Sequence, residues 1–254
     1  IASLLAKRTD FKSVAVISIA AAVHVGILVL EKDLGAALIY FVTYLMMLYV
    51  ATMKLRYLAA GAFAGTAASV VAYQLFAHVR VRVAAWQDPW SNMNQGGYQI
   101  CQSLFAIGTG GLFGMGLGQG MPKSVPVVES DFIFSAIAEE MGVIFCIFLI
   151  LIYISSFIMF VNIALKMKKN FYKLCAFGLS VVLIFQVFLS IGGVTKFIPS
   201  TGVTLPLISY GGSSIITTIV IFSIIQGMYV RNRREEVTTN EEQAAINRKS
   251  GKRQ

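Results

Sequence analysis

The chain has 254 residues, of which 57% are hydrophobic and 13% charged, and its formal net charge is +9. A soluble domain carries about 25% charged residues, so the composition excludes a soluble enzyme or a nucleic-acid-binding module and requires a polytopic membrane protein. The positive balance does not call for nucleic acid, because it follows from the side of the membrane on which the basic residues collect.

Ile1 is not an initiator methionine and no signal-peptide pattern precedes the first apolar run, so the chain reads as a C-terminal piece of something longer. Uncharged runs predict six spanning helices, over residues 13–30, 34–53, 57–79, 141–165, 174–195 and a last one ending at Val230. Each approaches the roughly 20 apolar residues that a bilayer helix needs. The expected fold is therefore an all-α transmembrane bundle over residues 1–230, with a large external loop, followed by a disordered cytoplasmic tail, 231–254. Twelve basic residues (Lys7, Arg8, Lys12, Lys54, Arg56, Lys166, Lys168, Lys169, Lys173, Arg231, Arg233 and Arg234) fall on one side. Five (Lys32, Arg80, Arg82, Lys123 and Lys196) fall on the other. The first side is cytoplasmic, where the basic tail would meet anionic membrane lipid.

On the outer side the first connection, Glu31-Lys32-Asp33, reads either as a solvated turn or as a supporting acid at an external cavity. His24 and His78 lack a second ligand at useful spacing and read as packed or interfacial residues, and the three cysteines imply no disulfide framework. Residues 80–130 are too long and too apolar for a plain connector. Trp86 and Trp90 flank an Asp88-Pro89 turn, as in an interfacial aromatic belt. Residues 98–107 alternate as a short amphipathic helix expected to lie along the outer membrane surface. Nine glycines follow between Gly96 and Gly120, either for close approach to a ligand or for tight helix packing.

Four carboxylates, Glu129, Asp131, Glu139 and Glu140, then stand at the mouth of 25 uncharged residues, 141–165. A helix starting near Phe132 would place Asp131, Ser135, Ala138, Glu139 and Gly142 on one face, looking into the protein. An ionisable group at that depth marks a substrate or ion path by default. The bland reading is a boundary marker and a favourable charge at a helix N-terminus. Finally, two prolines and three glycines between Ile198 and Ser214 forbid a continuous helix, so this stretch is a re-entrant or cavity-lining loop, followed by a helix from about Ser213 to Val230.

Five motifs carry a resemblance: Gly97-Tyr-Gln, residues 106–118, Asp131-Phe-Ile-Phe, Glu139-Glu-Met-Gly142 and Leu205-Pro-Leu-Ile-Ser-Tyr-Gly-Gly-Ser-Ser214. Across residues 1 to about 234 the sequence resembles the SEDS proteins (shape, elongation, division, sporulation), the group that includes FtsW and RodA. The resemblance implies a ten-helix fold of which this piece holds the fifth to the tenth. It also implies a glycosyltransferase that polymerises lipid II at the outer face of the bacterial cytoplasmic membrane, with a class B penicillin-binding protein as partner. It assigns the essential aspartate to Asp131, as general base or as ligand of a divalent cation, Mg2+ or Mn2+. Substrate contacts are expected at Arg80, Arg82, Glu129, Glu139, Lys196, Ser209 and Ser213, the arginines because guanidinium pairs phosphate oxygens bidentately.

The match has departures. Lys32 stands where the family usually has proline, and Ser200-Thr201 where some division members have Thr-Lys, so Lys196 is the candidate replacement cation. The wording of residues 202–206 leans toward FtsW. Two other functions compete, a lipid II transporter and a non-catalytic scaffold for the penicillin-binding protein. A transporter would place polar groups near the bilayer midplane on broken helices, whereas these acids gather at one face.

Overall fold

The computed structural model describes residues 1–7 and 10–251; Arg8 and residues 252–254 of the tail, both named above, lie outside the described residues. Among the described residues nine α-helices follow in order: α1 (Ala2–Lys7), α2 (Phe11–Leu30), α3 (Leu34–Thr52), α4 (Leu55–Leu75), α5 (Ala77–Gln87), α6 (Gly97–Gly110), α7 (Ile133–Lys166), α8 (Asn170–Val194) and α9 (Gly212–Gly251). There is no strand among the described residues, and six helices (α2, α3, α4, α7, α8 and α9) are long and apolar enough to cross a membrane. Side-chain caps set two of the starts. Asp10 accepts from Ser13 N–H at the head of α2, and Asp33 accepts from Ala36 N–H (2.9 Å) at the head of α3.

Helix α8 is the hub. Half of its most apolar window is buried, and it packs on α1, α3, α6, α7 and α9, while α4 buries none of its residues. The core falls into three clusters along this hub. One joins α6, α7, α8 and Leu205, another joins α1, α2 and α3 to Leu174, and a third joins α7, α8 and α9.

The structure corrects three expectations. The third span stops at Leu75, where Phe76 is extended, and both arginines lie on helix α5 rather than in a loop. Helix α6 does not lie as a surface amphipath: Gly97, Ile100, Cys101, Ser103, Ala106 and Gly110 are buried against its neighbours, while Leu104 and Phe105 are exposed. Small residues decide this, since a Cβ at Gly110 would overlap the Ala138 carbonyl oxygen of α7. The backbone of α9 is helical to Gly251, and the pairs Arg231–Glu235 (3.2 Å) and Asn232–Glu236 (2.9 Å) support its exit at i,i+4 spacing.

The third correction concerns α7, which is broken at Gly142 (φ 80°, ψ 171°), one residue into the expected continuous span. A broken helix leaves carbonyls on one side and N–H groups on the other without intrahelical partners. The glycine-rich segment supplies them: Met115 and Gly116 N–H donate to the Glu139 and Glu140 carbonyls (2.9 and 3.0 Å). In return, Val143 and Ile144 N–H donate to the Gly111 and Leu112 carbonyls (3.0 and 3.2 Å). Close backbone approach is possible because a Cβ at Gly114 or Gly142 would overlap the opposing main chain. The glycines serve tight packing onto α7, with Gly114 and Gly116 in left-handed conformations (φ 79° and 103°).

Candidate functional site

The site is built where the segment ending at Asp131, helix α5 and the loop after α8 meet. That loop, residues 195–211, is not helical, and it descends into the bundle: Gln186 Nε2 donates to the Thr204 carbonyl (3.1 Å), and the Tyr153 hydroxyl donates to the Pro206 carbonyl (2.5 Å). Gln186 lies about 12 Å along α8 from its end at Val194, at 1.5 Å per residue. Irregular backbone at such depth needs protein partners, and these side chains provide them. The loop is re-entrant, as its prolines and glycines foretell.

Asp131 is half-buried immediately before α7. Its Oδ2 faces Gly202, where an added Cβ would stand 3.4 Å away, and Gly202 itself has φ 75°. The residues ahead of Asp131 are held by their carbonyls. The Ser209 hydroxyl donates to the Ser130 carbonyl (2.5 Å), and Tyr210 N–H donates to the Glu129 carbonyl (2.7 Å). Behind Asp131, the buried hydroxyls of Ser135 and Ser103 are hydrogen-bonded (2.7 Å), and Ser103 donates on to the Val194 carbonyl (2.9 Å).

The same loop receives α5. Arg82 Nη1 donates to the Thr201 carbonyl (3.2 Å) and, one turn on, Trp86 Nε1 donates to the Lys196 carbonyl (3.1 Å). The start of α3 closes the third side, where a Cβ at Gly35 would come within 3.3 Å of the Thr201 carbonyl. Asp131 and Arg82 thus approach adjacent residues, Gly202 and Thr201. A carboxylate and a guanidinium are brought together by contacts to one loop, with no hydrogen bond or ion pair between them.

The other candidates scatter. Arg80 turns away to cap α4, donating to the Gln74 and Tyr73 carbonyls (2.6 and 3.5 Å). The Glu129 side chain is exposed, its carbonyl being the part that is used. Lys196 is half-buried and stands near Asp88, whose carboxyl is held below its usual value first by the Ser91 hydroxyl and backbone N–H and last by Lys196. Glu139 is 6% exposed. Its Oε1 accepts from Met121 N–H (3.1 Å) and its Oε2 is buried without a partner among the described residues. Ser209 is buried, and Ser213 is exposed on the first turn of α9. Sequence reasoning noted Thr201 and Gly202 without giving them a place at the site, and it passed over Gln186, Thr204 and Ser214, which form one polar network. Arg82 and Trp86, at i,i+4 spacing on one face of α5, both reach this loop, whereas Arg80 does not.

Among the described residues no three His, Cys, Asp or Glu side chains form a metal cluster. Mg2+ is commonly held by one or two carboxylates plus substrate phosphates. Asp131 therefore fits such an ion only as one of several ligands, the rest coming from substrate and water.

Fold and site define a multi-pass membrane protein with an acid and an arginine gathered on a re-entrant loop at one end of its bundle. The chain matches the FtsW/RodA/SpoVE family, described as cell cycle protein, over residues 1–234, and it belongs to that family. It is 42% identical over 203 residues to the peptidoglycan glycosyltransferase RodA of Mycobacterium tuberculosis, covering 80% of this chain and 43% of that protein. It is 37% identical over 240 residues to the FtsW protein of Francisella salina, covering 91% of this chain and 58% of that protein. A solved chain from a peptidoglycan synthase complex superposes with a TM-score of 0.75 at 26% identity, over 91% of this chain and 66% of that one. The chain spans about half the length of these curated relatives. These identities favour RodA, where the wording of residues 202–206 favours FtsW.

Proposed function

We propose that this chain is the C-terminal part of a peptidoglycan glycosyltransferase that polymerises lipid II at the outer face of the bacterial cytoplasmic membrane, in division or elongation. The observation that carries the reading is the meeting of Asp131 and Arg82 on Gly202 and Thr201. Membership of a family with RodA and FtsW glycosyltransferases supports it. In the reaction an acceptor sugar hydroxyl attacks the anomeric carbon of a donor sugar. A carbon–oxygen bond forms there, the bond to the pyrophosphate oxygen breaks, and the undecaprenyl pyrophosphate departs with the electron pair. Asp131 takes the hydroxyl proton as general base. Arg82 pairs the leaving pyrophosphate, where negative charge develops. In the alternative role Asp131 would hold a divalent cation, which would neutralise charge on the pyrophosphate.

The partner in this reading is a class B penicillin-binding protein, as the solved neighbour from a synthase complex suggests. The site's charged groups lie at one end of the bundle, which favours a polymerase over a transporter with a polar path across the membrane. The test is strand synthesis by purified full-length protein from purified lipid II. Glycan polymer sensitive to a muramidase is the expected product. Transbilayer movement of lipid II without polymer would contradict the reading.

A further inference from the structure

We infer that the turn Leu205–Tyr210 is a clamp that positions Asp131, and that Ser209 is a positioning residue for glycosyl transfer and not a substrate ligand. The inference rests on the reading of Asp131 as the reacting carboxylate. Ser209 is 2% exposed, and its hydroxyl is already engaged on both sides. It accepts from Leu205 N–H (2.7 Å) and spends its single hydrogen on the Ser130 carbonyl (2.5 Å). A substrate has neither access to this group nor a hydrogen left to receive from it.

What Ser209 holds is the residue immediately before Asp131. Its neighbour Tyr210 holds the one before that, through N–H to the Glu129 carbonyl (2.7 Å). Two consecutive residues of the turn therefore grip two consecutive residues of the Asp131 segment. The turn is itself fixed to the bundle: Leu205 is fully buried in the α6–α7–α8 core, Tyr153 of α7 donates to the Pro206 carbonyl, and Gln186 of α8 donates to the Thr204 carbonyl.

The preceding part of the loop places Gly202 against Asp131 and the Thr201 carbonyl on Arg82. One loop thus sets the carboxylate from its peptide side and the arginine from its side chain, and fixes the spacing between them. A displacement of about 1 Å in a reacting group can cost about 100-fold in rate. The clamp acts where such a displacement would arise.

The experiment compares full-length wild type, Ser209→Ala, Ser209→Thr, Ile225→Ala and Asp131→Asn in strand synthesis from lipid II, with melting temperatures measured on the same preparations. Ser209→Ala should lose on the order of 100-fold in kcat with KM within about twofold. Ser209→Thr, which keeps the hydroxyl, should recover part of that loss. Ile225→Ala removes a buried side chain of the α7–α8–α9 core, away from the loop, and should lower the melting temperature while changing kcat far less. If Ser209→Ala does not fold, Ser209→Cys replaces it, keeping the side-chain size with a weaker donor, and the same loss in kcat is expected.

A rise in KM at unchanged kcat in the Ser209 variants would make Ser209 a substrate ligand and overturn the inference. Losses in kcat that follow melting temperature equally in Ser209→Ala and Ile225→Ala would make it a structural residue only, and also overturn it. Full activity in Asp131→Asn would instead remove the reading beneath the inference, so the two failures are told apart.

Discussion

Replacing Gly114 by alanine should separate the glycine-rich segment from the break in α7. Gly114 has φ 79°, and a Cβ there would overlap the Glu140 carbonyl oxygen and lie 2.6 Å from the Met141 carbonyl carbon. Holding alanine in a left-handed conformation costs about 1–2 kcal/mol. Main-chain atoms cannot swing aside as a side chain does, so the segment must shift and give up the Met115–Glu139 and Gly116–Glu140 hydrogen bonds. Each is worth about 0.5–1.5 kcal/mol net, and more if a carbonyl is left bare in a dry environment. The total is about 2–5 kcal/mol, a large share of the 5–15 kcal/mol that is typical of a folded domain. At about 2–4 °C per kcal/mol the melting temperature in detergent should fall on the order of 10 °C. Gly108→Ala is the control, because nothing lies within 4 Å of a Cβ there and the residue is helical. It should be neutral or slightly stabilising. A Gly114→Ala protein that melts with wild type would show that the loop does not hold the break, and the account of α7 would be wrong.

Arg82→Gln should weaken lipid II use, read as a higher KM, with little change in melting temperature. Arg80→Gln should instead leave KM alone and cost about 0.5–1.5 kcal/mol of stability as the α4 cap is lost; equal kinetic losses in both would refute the division of roles. Cysteine at Lys123 should react with an impermeant reagent from outside and cysteine at Lys168 only from inside, and the opposite pattern would invert the topology. The Asp88 carboxyl is held below its usual value by Ser91. Its contribution to the turn is therefore complete above the unfolded carboxylate range near pH 4 and lost as pH falls through its lowered folded value. Hydrogen exchange in residues 88–97 should rise only in that acid window, and Asp88→Asn should remove the dependence.

Much of this was legible in the sequence because membrane spans announce themselves. The runs without charge matched six helices to within a few residues at most ends, and Pro199, Gly202 and Pro206 marked the re-entrant loop. Asp131 before a helix, with Ser135, Ala138, Glu139 and Gly142 on a buried face, followed from helical spacing. The break at Gly142 did not, because 25 uncharged residues look continuous until residues 111–116 are known to pair with them. Burial of Ser209, and the choice of Ser214 over Ser213 in the Gln186 network, likewise depend on contacts between residues far apart in the chain. Arg80 and Arg82 were indistinguishable until Phe76 was found extended, since the start of α5 sets which face each arginine takes.

The central claim is that Asp131 supplies the oxygen on which polymerisation depends. Asp131→Asn is nearly isosteric, and the segment is held through the Glu129 and Ser130 carbonyls, which the substitution leaves intact. Full-length Asp131→Asn protein, mixed with purified lipid II and a class B penicillin-binding protein, should therefore melt with wild type, bind that protein as wild type does and make no glycan strands. Strand synthesis at the wild-type rate by that variant would contradict the claim.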